Sequence, residues 1–142
     1  MKKLLLLLTL VTAINLTAQE KDAKTLNALL KQENRLTARS NPNELILRAM
    51  VQYKDGDESV DLKSIKLNLD GTTRIADVEK VKVFTTGLEE YDNNRFHDYA
   101  TLIGSCDPQE GDFECELEGQ LLEGINFLWL AVDVADDAVE GN

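Results

Sequence analysis

At 142 residues the chain has the length of one ordinary domain, and its 43% hydrophobic content is enough to bury a single core, which excludes wholesale disorder. Fifteen Lys and Arg face 26 Asp and Glu, a net charge of −11. That balance repels phosphate backbones and anionic membrane surfaces, so nucleic-acid binding through a basic patch is excluded.

Lys2 and Lys3 open the chain, and Leu4 to Leu8 begin an apolar run that continues through Leu10, Val11 and Ala13. Asn15 breaks the run, and Thr17-Ala18-Gln19 places a small residue at the expected cleavage point. An apolar stretch of about a dozen residues suits the h-region of a signal peptide and falls short of the ~20 needed to span a bilayer. A buried N-terminal core helix is the alternative. The Lys-Lys start, the leucine run and the abrupt change to charged residues favour a signal peptide over residues 1–18, and no membrane span is expected. No cysteine follows the run to carry a lipoprotein anchor. The protein is therefore expected to be exported, to the periplasm, the cell surface or the medium. Removing 18 residues from 142 leaves 124, and losing two lysines leaves 13 basic against 26 acidic side chains, a charge of −13.

Residues 19–35 form a lead segment, ambiguous in type. Leu26, Leu29 and Leu30 have helical spacing, yet Leu30, Leu36 and Ala38 equally alternate as on a strand, and Pro42 stops either. From residue 36 onward strand signals dominate. Residues 45–53 alternate, with Leu45, Leu47, Ala49, Val51 and Tyr53 on one face and Ile46, Arg48, Met50 and Gln52 on the other. Lys54-Asp55-Gly56-Asp57 supplies a turn. Residues 62–69 form a second strand with Ile65, Leu67 and Leu69 inward, closed by Asp70-Gly71. A third covers Val78 to Thr85 and ends at Thr86-Gly87. Residues 88–112 read as long loops with one short strand near 99–103, Phe113 to Leu117 as another short strand, and Gln120 to Asn126 as a connection. The last strand, Phe127 to Val134, is apolar on both faces: Leu128, Leu130, Val132 and Val134 on one, Phe127, Trp129 and Ala131 on the other. A strand of that kind is central and covered, which requires two packed layers. The expected fold is all-β, an antiparallel two-layer β-sandwich over residues 36–142.

The two cysteines, Cys106 and Cys115, flank a stretch rich in turn formers, Asp107 to Asp112. In an oxidising compartment they would bridge the arms of a hairpin or long loop, adding roughly 2.5–3 kcal/mol on the chain-entropy model. The alternative is two free thiols. A metal site is a poor reading of two thiols nine apart with one histidine, His97, elsewhere in the chain.

Catalytic patterns are scarce. His97 lies between Phe96 and Asp98 with no G-x-S-x-G elbow to serve, and no G-x-x-x-x-G-K, G-x-G-x-x-G or H-E-x-x-H occurs. Glycosidase chemistry needs two carboxyls at a set separation, one with its pKa raised by burial. The candidates Glu89, Glu90, Asp112, Glu114, Glu116 and Glu118 lie in polar runs that read as solvated faces. Asp133, Asp136 and Asp137, or Asp55 and Asp57, could offer oxygens to calcium, but neither set matches a twelve-residue EF-hand loop. No catalytic residue, cofactor or metal is expected. Phe127 and Trp129 carry the sharpest functional option, an aromatic platform for stacking on sugar rings; their place in the most apolar strand favours the core.

Gly119-Gln120-Leu121-Leu122-Glu123-Gly124-Ile125-Asn126-Phe127-Leu128-Trp129-Leu130, followed by Asp133, Ala138 and Gly141-Asn142, resembles the end of the N-terminal domain of bacterial BNR-repeat neuraminidases. Asn43 to Val51 resembles an early strand of that domain, and Leu62 to Gly71-Thr72-Thr73 its strand leading into a G-T-T turn. Asp77-Val78 through Val83-Phe84-Thr85-Thr86-Gly87 resembles its "D-[IV] … V-x-[VLF]-[FY]-x-T-G" segment. The cysteine pair, and Ser40 in place of Gly, depart from the pattern. The resemblance spans about residues 36–142 and implies a β-sandwich accessory module at the front of an exported sialidase-like glycoside hydrolase. Its implied partner is a C-terminal sialidase propeller, which carries the chemistry, so no catalytic residue transfers. No S-x-D-x-G-x-x-W Asp-box occurs here, and nothing marks three of Arg35, Arg39, Arg48, Arg74 and Arg95 as a carboxylate-gripping triad. The end of the chain at Gly141-Asn142 suggests a truncated or split parent. The alternative is a free-standing exported module that binds glycan or protein through Phe127 and Trp129 or the 88–112 loops.

Overall fold

The computed structural model describes residues 4–5, 26–32, 36–37, 40, 42–54, 59–70 and 74–139. Apart from Leu4 and Leu5, the expected signal peptide lies outside the described residues, as do the turns at Asp55-Gly56-Asp57 and Gly71-Thr72-Thr73 and the terminal Gly141-Asn142. The strands are β1 (Leu4–Leu5), β2 (Leu26–Gln32), β3 (Leu36–Thr37), β4 (Glu44–Tyr53), β5 (Ser59–Asn68), β6 (Val78–Gly87), β7 (Thr101–Cys106), β8 (Asp112–Leu122) and β9 (Gly124–Val134). One helical turn, α1 (Phe96–Tyr99), and a 3-10 turn at Ile75–Asp77 interrupt them. All pairings are antiparallel: a five-stranded sheet in the order β2-β4-β9-β6-β7, a two-stranded sheet β5-β8, and a short β1-β3 ladder.

The main core fills the space between the two larger sheets. Leu47, Ala49, Val51 and Tyr53 of β4, Val81 and Val83 of β6, and Leu128, Leu130, Val132 and Val134 of β9 meet Leu62, Ile65 and Leu67 of β5 and Phe113, Cys115, Leu117 and Leu121 of β8. Strict alternation along β8 explains its placement, since Phe113, Cys115 and Leu117 are buried while Glu114, Glu116 and Glu118 beside them are exposed. β9 is the middle strand of five and is buried on both faces, as its two-sided apolar pattern requires. Its second face is covered by residues 88–100, which lay α1 across the sheet and form a smaller core of Leu45, Phe96, Phe127, Trp129 and Ala131.

Four local features depart from the sequence expectation. Leu45 does not share a face with Leu47. The β4–β9 register shifts between those two residues, and the extra residue of this β-bulge turns Leu45 toward Trp129. Residues 88–112 are mainly loop with one short strand, as expected, but that strand lies at Thr101–Cys106 and a helical turn, α1, precedes it. The connection expected at 120–126 is a tight hairpin in which β8 and β9 run to within one residue of each other, with Gly124 at φ +122°. The ambiguous lead segment contains a strand, β2, paired with β4 along the edge of the large sheet.

β7 and β8 belong to different sheets and cross closely. A Cβ on Gly104 would lie 2.5 Å from Leu117 Cδ2 and 2.6 Å from the Glu116 carbonyl oxygen, so a glycine is required there. The Cys106–Cys115 disulfide joins the two strands beside this crossing, with Cα atoms 5.6 Å apart. It bridges the two arms of the 107–111 loop, as expected, and because those arms belong to different sheets it also staples one sheet to the other at the sandwich edge.

Candidate functional site

The residues of the C-terminal motif are joints of the fold. Asn126 is fully buried beneath the β8–β9 turn. Its Oδ1 accepts from the Leu122 backbone N–H at 2.8 Å, and its Nδ2 donates to the Leu122 carbonyl at 2.7 Å, which locks the hairpin that Gly124 allows. Trp129 Nε1 donates to Thr86 Oγ1 at 3.1 Å, tying this motif to the Thr-Thr-Gly end of β6. Ala138 is buried in the main core.

Asp133 sits where the turn before β4 meets β6 and β9. Its carboxylate accepts from Lys82 Nζ at 2.7 Å and from the Asn43 backbone N–H at 2.9 Å, while Lys82 also donates to Asn43 Oδ1 at 3.0 Å. Burial works to raise the Asp133 pKa. The hydrogen-bonded Lys82 ammonium and the Asn43 amide outweigh it and hold the carboxyl below its ordinary value, with a longer-range contribution from Lys80. Asn43 takes φ +54° to make this contact. Ser40, where the resemblance leads one to expect Gly, has φ +56°, a conformation in which glycine is unstrained, and its hydroxyl donates to Asp136. Asp137 pairs with Arg74 at 3.6 Å, as does the buried Asp77 at 3.2 Å. The three aspartates considered for calcium thus face three different partners. Among the described residues no group of three or more His, Cys, Asp or Glu gathers as a metal set, and Asp55 and Asp57 lie outside them.

Trp129 is fully buried and Phe127 nearly so. Phe96 stacks on Trp129 at a centroid distance of 5.2 Å and 10° between planes, and the Arg48 guanidinium lies 5.6 Å from the Trp129 centroid. Neither ring presents a flat face to solvent in this arrangement. His97 is exposed on α1, its ring against that of Phe96. Glu89, Glu90, Asp112, Glu114, Glu116 and Glu118 are all exposed. No helix among the described residues is long and apolar enough to cross a membrane.

Two concave features stand out among the described residues. An open groove of about 850 Å³ runs between β7 and the outer face of β8, walled by Leu102, Ser64, Glu114 and Glu116. A smaller depression of about 420 Å³ lies at the other side of the large sheet, lined by Lys31 of β2, Arg48 of β4, and Glu90, Tyr91, Asp92 and Asn93 of the covering segment. Arg48 is pinned in its wall by Glu90 at 2.8 Å. Tyr91 stacks on Tyr99 at 4.3 Å with 6° between planes. Sequence alone does not bring Lys31 and Arg48 beside residues 90–93; the β2–β4 pairing does.

An all-β sandwich whose motif residues serve turns, layer contacts and buried polar ties is a scaffold or accessory module in class. The family model described as the N-terminal domain of BNR-repeat neuraminidase matches residues 30–140, and the chain belongs to that family. No curated protein matches the chain.

Proposed function

We propose that this chain is an exported, non-catalytic accessory domain that works beside the catalytic propeller of a sialidase-like enzyme, encoded in the same parent protein or in a neighbouring gene. The family match over residues 30–140 carries the reading. Two features support it. The residues that make the chain resemble the family spend their polar groups inside the fold, as Asn126, Trp129 and Asp133 do, and the carboxylates considered for glycosidase chemistry stand exposed on outer faces. Export is supported by the Lys2-Lys3 start and the leucine run of the first 18 residues, and by a disulfide, a bond that persists in oxidising compartments.

The test has three readings. The purified chain should release no fluorophore from a 4-methylumbelliferyl sialoside above buffer rate. Material recovered from outside the cytoplasm should begin near Gln19 by N-terminal sequencing. Asp-box repeats should be encoded downstream or in an adjacent gene. Turnover by the purified chain, or retention of Met1 on material confined to the cytoplasm, would overturn the corresponding part of the reading.

A further inference from the structure

β2 is an edge strand without the usual guards of an edge. Among the described residues it pairs with β4 on one side only, at the end of the five-stranded sheet, so every second residue turns its backbone N–H and C=O outward. Its seven residues include no Pro, its register with β4 runs without a shift, and Lys31 is its one charged side chain. Apolar side chains stand on both of its faces. Leu30 packs against the main core, while Leu29 on the opposite face is 62% exposed, the most exposed large hydrophobic among the described residues. The register leads inward from Leu29 through Met50 of β4 to Phe127 of β9. An apolar row therefore runs from the covering core to the free edge, and Leu29 is its open end.

Charge selects what can continue that row. The chain carries −11, and two copies repel each other except where acidic side chains are absent. Of the strands in the two larger sheets, only β2 and β7 contain no Asp or Glu. β7 borders the groove lined by Glu114, Glu116 and Glu118, which turns a second acidic chain away. β2 has no such wall and is self-complementary. Set antiparallel to a second β2 about a twofold axis at Leu29, it places Leu29 against Leu29, Ala28 against Leu30 and Asn27 against Lys31, with no like charges opposed.

We propose that β2 is the interface of a homodimer: two copies join antiparallel through their β2 edges, centred on Leu29, into one continuous sheet with five strands from each copy. The proposal is independent of the accessory reading, since it asks nothing of a propeller.

Sedimentation velocity of the full chain tests it. The expected dissociation constant is on the order of 100 µM, as a small edge interface allows, so the chain should be monomer at about 5 µM and largely dimer at about 500 µM. Added salt should tighten the dimer by at least about twofold, because screening relieves the repulsion between acidic copies. Amide exchange along β2 should be fast at the low concentration and slow at the high one. Leu29→Lys lowers the negative charge of each copy, yet it should weaken the dimer at least about tenfold by setting two ammonium groups against each other at the axis. Its melting temperature in dilute solution should match wild type, since Leu29 is exposed. Under mild oxidation Leu29→Cys should cross-link two copies. Asn27→Cys should not, because the register sets the two introduced thiols about 14 Å apart. Cys106 and Cys115 are bonded to each other and do not compete. A monomer throughout, a dimer that salt weakens, a dimer that Leu29→Lys leaves intact, or equal cross-linking at positions 27 and 29 overturns the proposal. So does slow exchange along β2 in the dilute monomer, which would mean that another segment of the same chain already completes the edge.

Discussion

Cutting the Cys106–Cys115 bridge should weaken the fold by an amount that can be worked out beforehand. The two cysteines are nine positions apart, and closing a loop of about ten residues in the unfolded chain contributes about 2.7 kcal/mol on the chain-entropy model. Cys115 is fully buried among the main core, so a serine there would add a hydroxyl without a partner; Cys106 is half-buried, and Cys106→Ser is the cleaner perturbation. For a domain of this size each kcal/mol lowers the melting temperature by about 4 °C, so the expected drop is about 11 °C. Calorimetric melts of wild type and Cys106→Ser, each with and without a phosphine reductant, give four curves. Reduced wild type should coincide with the variant, and the reductant should leave the variant unmoved. A fall of less than about 3 °C would mean that the β7–β8 crossing is held by the packing of Gly104 on Leu117 and Gly119 on Ile103, and that the bridge adds little to it.

Three further outcomes follow from the same packing. Gly104→Ala places a methyl 2.5 Å from Leu117 Cδ2 and 2.6 Å from the Glu116 carbonyl, and should cost about 1–3 kcal/mol in urea unfolding, against a near-neutral change at exposed Thr101→Ala. The folded-state pKa of Asp133 is depressed below its unfolded value, so its stabilisation is fully present above the ordinary carboxylate pKa and is lost as pH falls through the folded value. Asp133→Asn should therefore lower stability at pH 7 and flatten the loss between neutral and strongly acid pH, read as the urea midpoint across a pH series. Phe96→Ala removes the ring stacked on Trp129 and should cost about 3–5 kcal/mol, with a red-shifted indole emission and faster iodide quenching; unchanged emission would contradict the covering role of residues 88–100.

The legible parts of the fold were those where one period governs a whole segment. β4, β5, β6 and β9 alternate or run apolar over their length, and the two-sided pattern of Phe127 to Val134 placed β9 at the centre of a sheet. Errors arose where a single residue changes the register. A bulge at Ile46 moves Leu45 to the opposite face, and no composition signal marks it. The strand Asp112–Leu122 runs past the Phe113 to Leu117 segment expected from sequence and through Gly119, where Ile103 of β7 packs in the place a Cβ would take. The cysteine spacing permitted a bridge, but that the bridge joins two sheets depends on β7 pairing with β6 while β8 pairs with β5, a tertiary fact. The depression was invisible for the same reason. Lys31, Arg48 and residues 90–93 come from three segments, and the register Lys31↔Arg48 between β2 and β4 unites the first two.

The covering segment also decides how an aromatic surface could serve recognition here. For Phe127 and Trp129 to stack on a sugar, residues 88–100 would have to lift from the sheet, breaking the Arg48–Glu90 pair and exposing the fully buried Phe96, which on its own costs about 1.5–3 kcal/mol of apolar burial. That is a large share of the roughly 4 kcal/mol that a millimolar sugar complex has to offer. Trp129 lies beneath the covering segment instead, with the Arg48 guanidinium laid over its ring. The strand that made the chain look like a sugar platform in sequence is, in three dimensions, the floor of the covering layer.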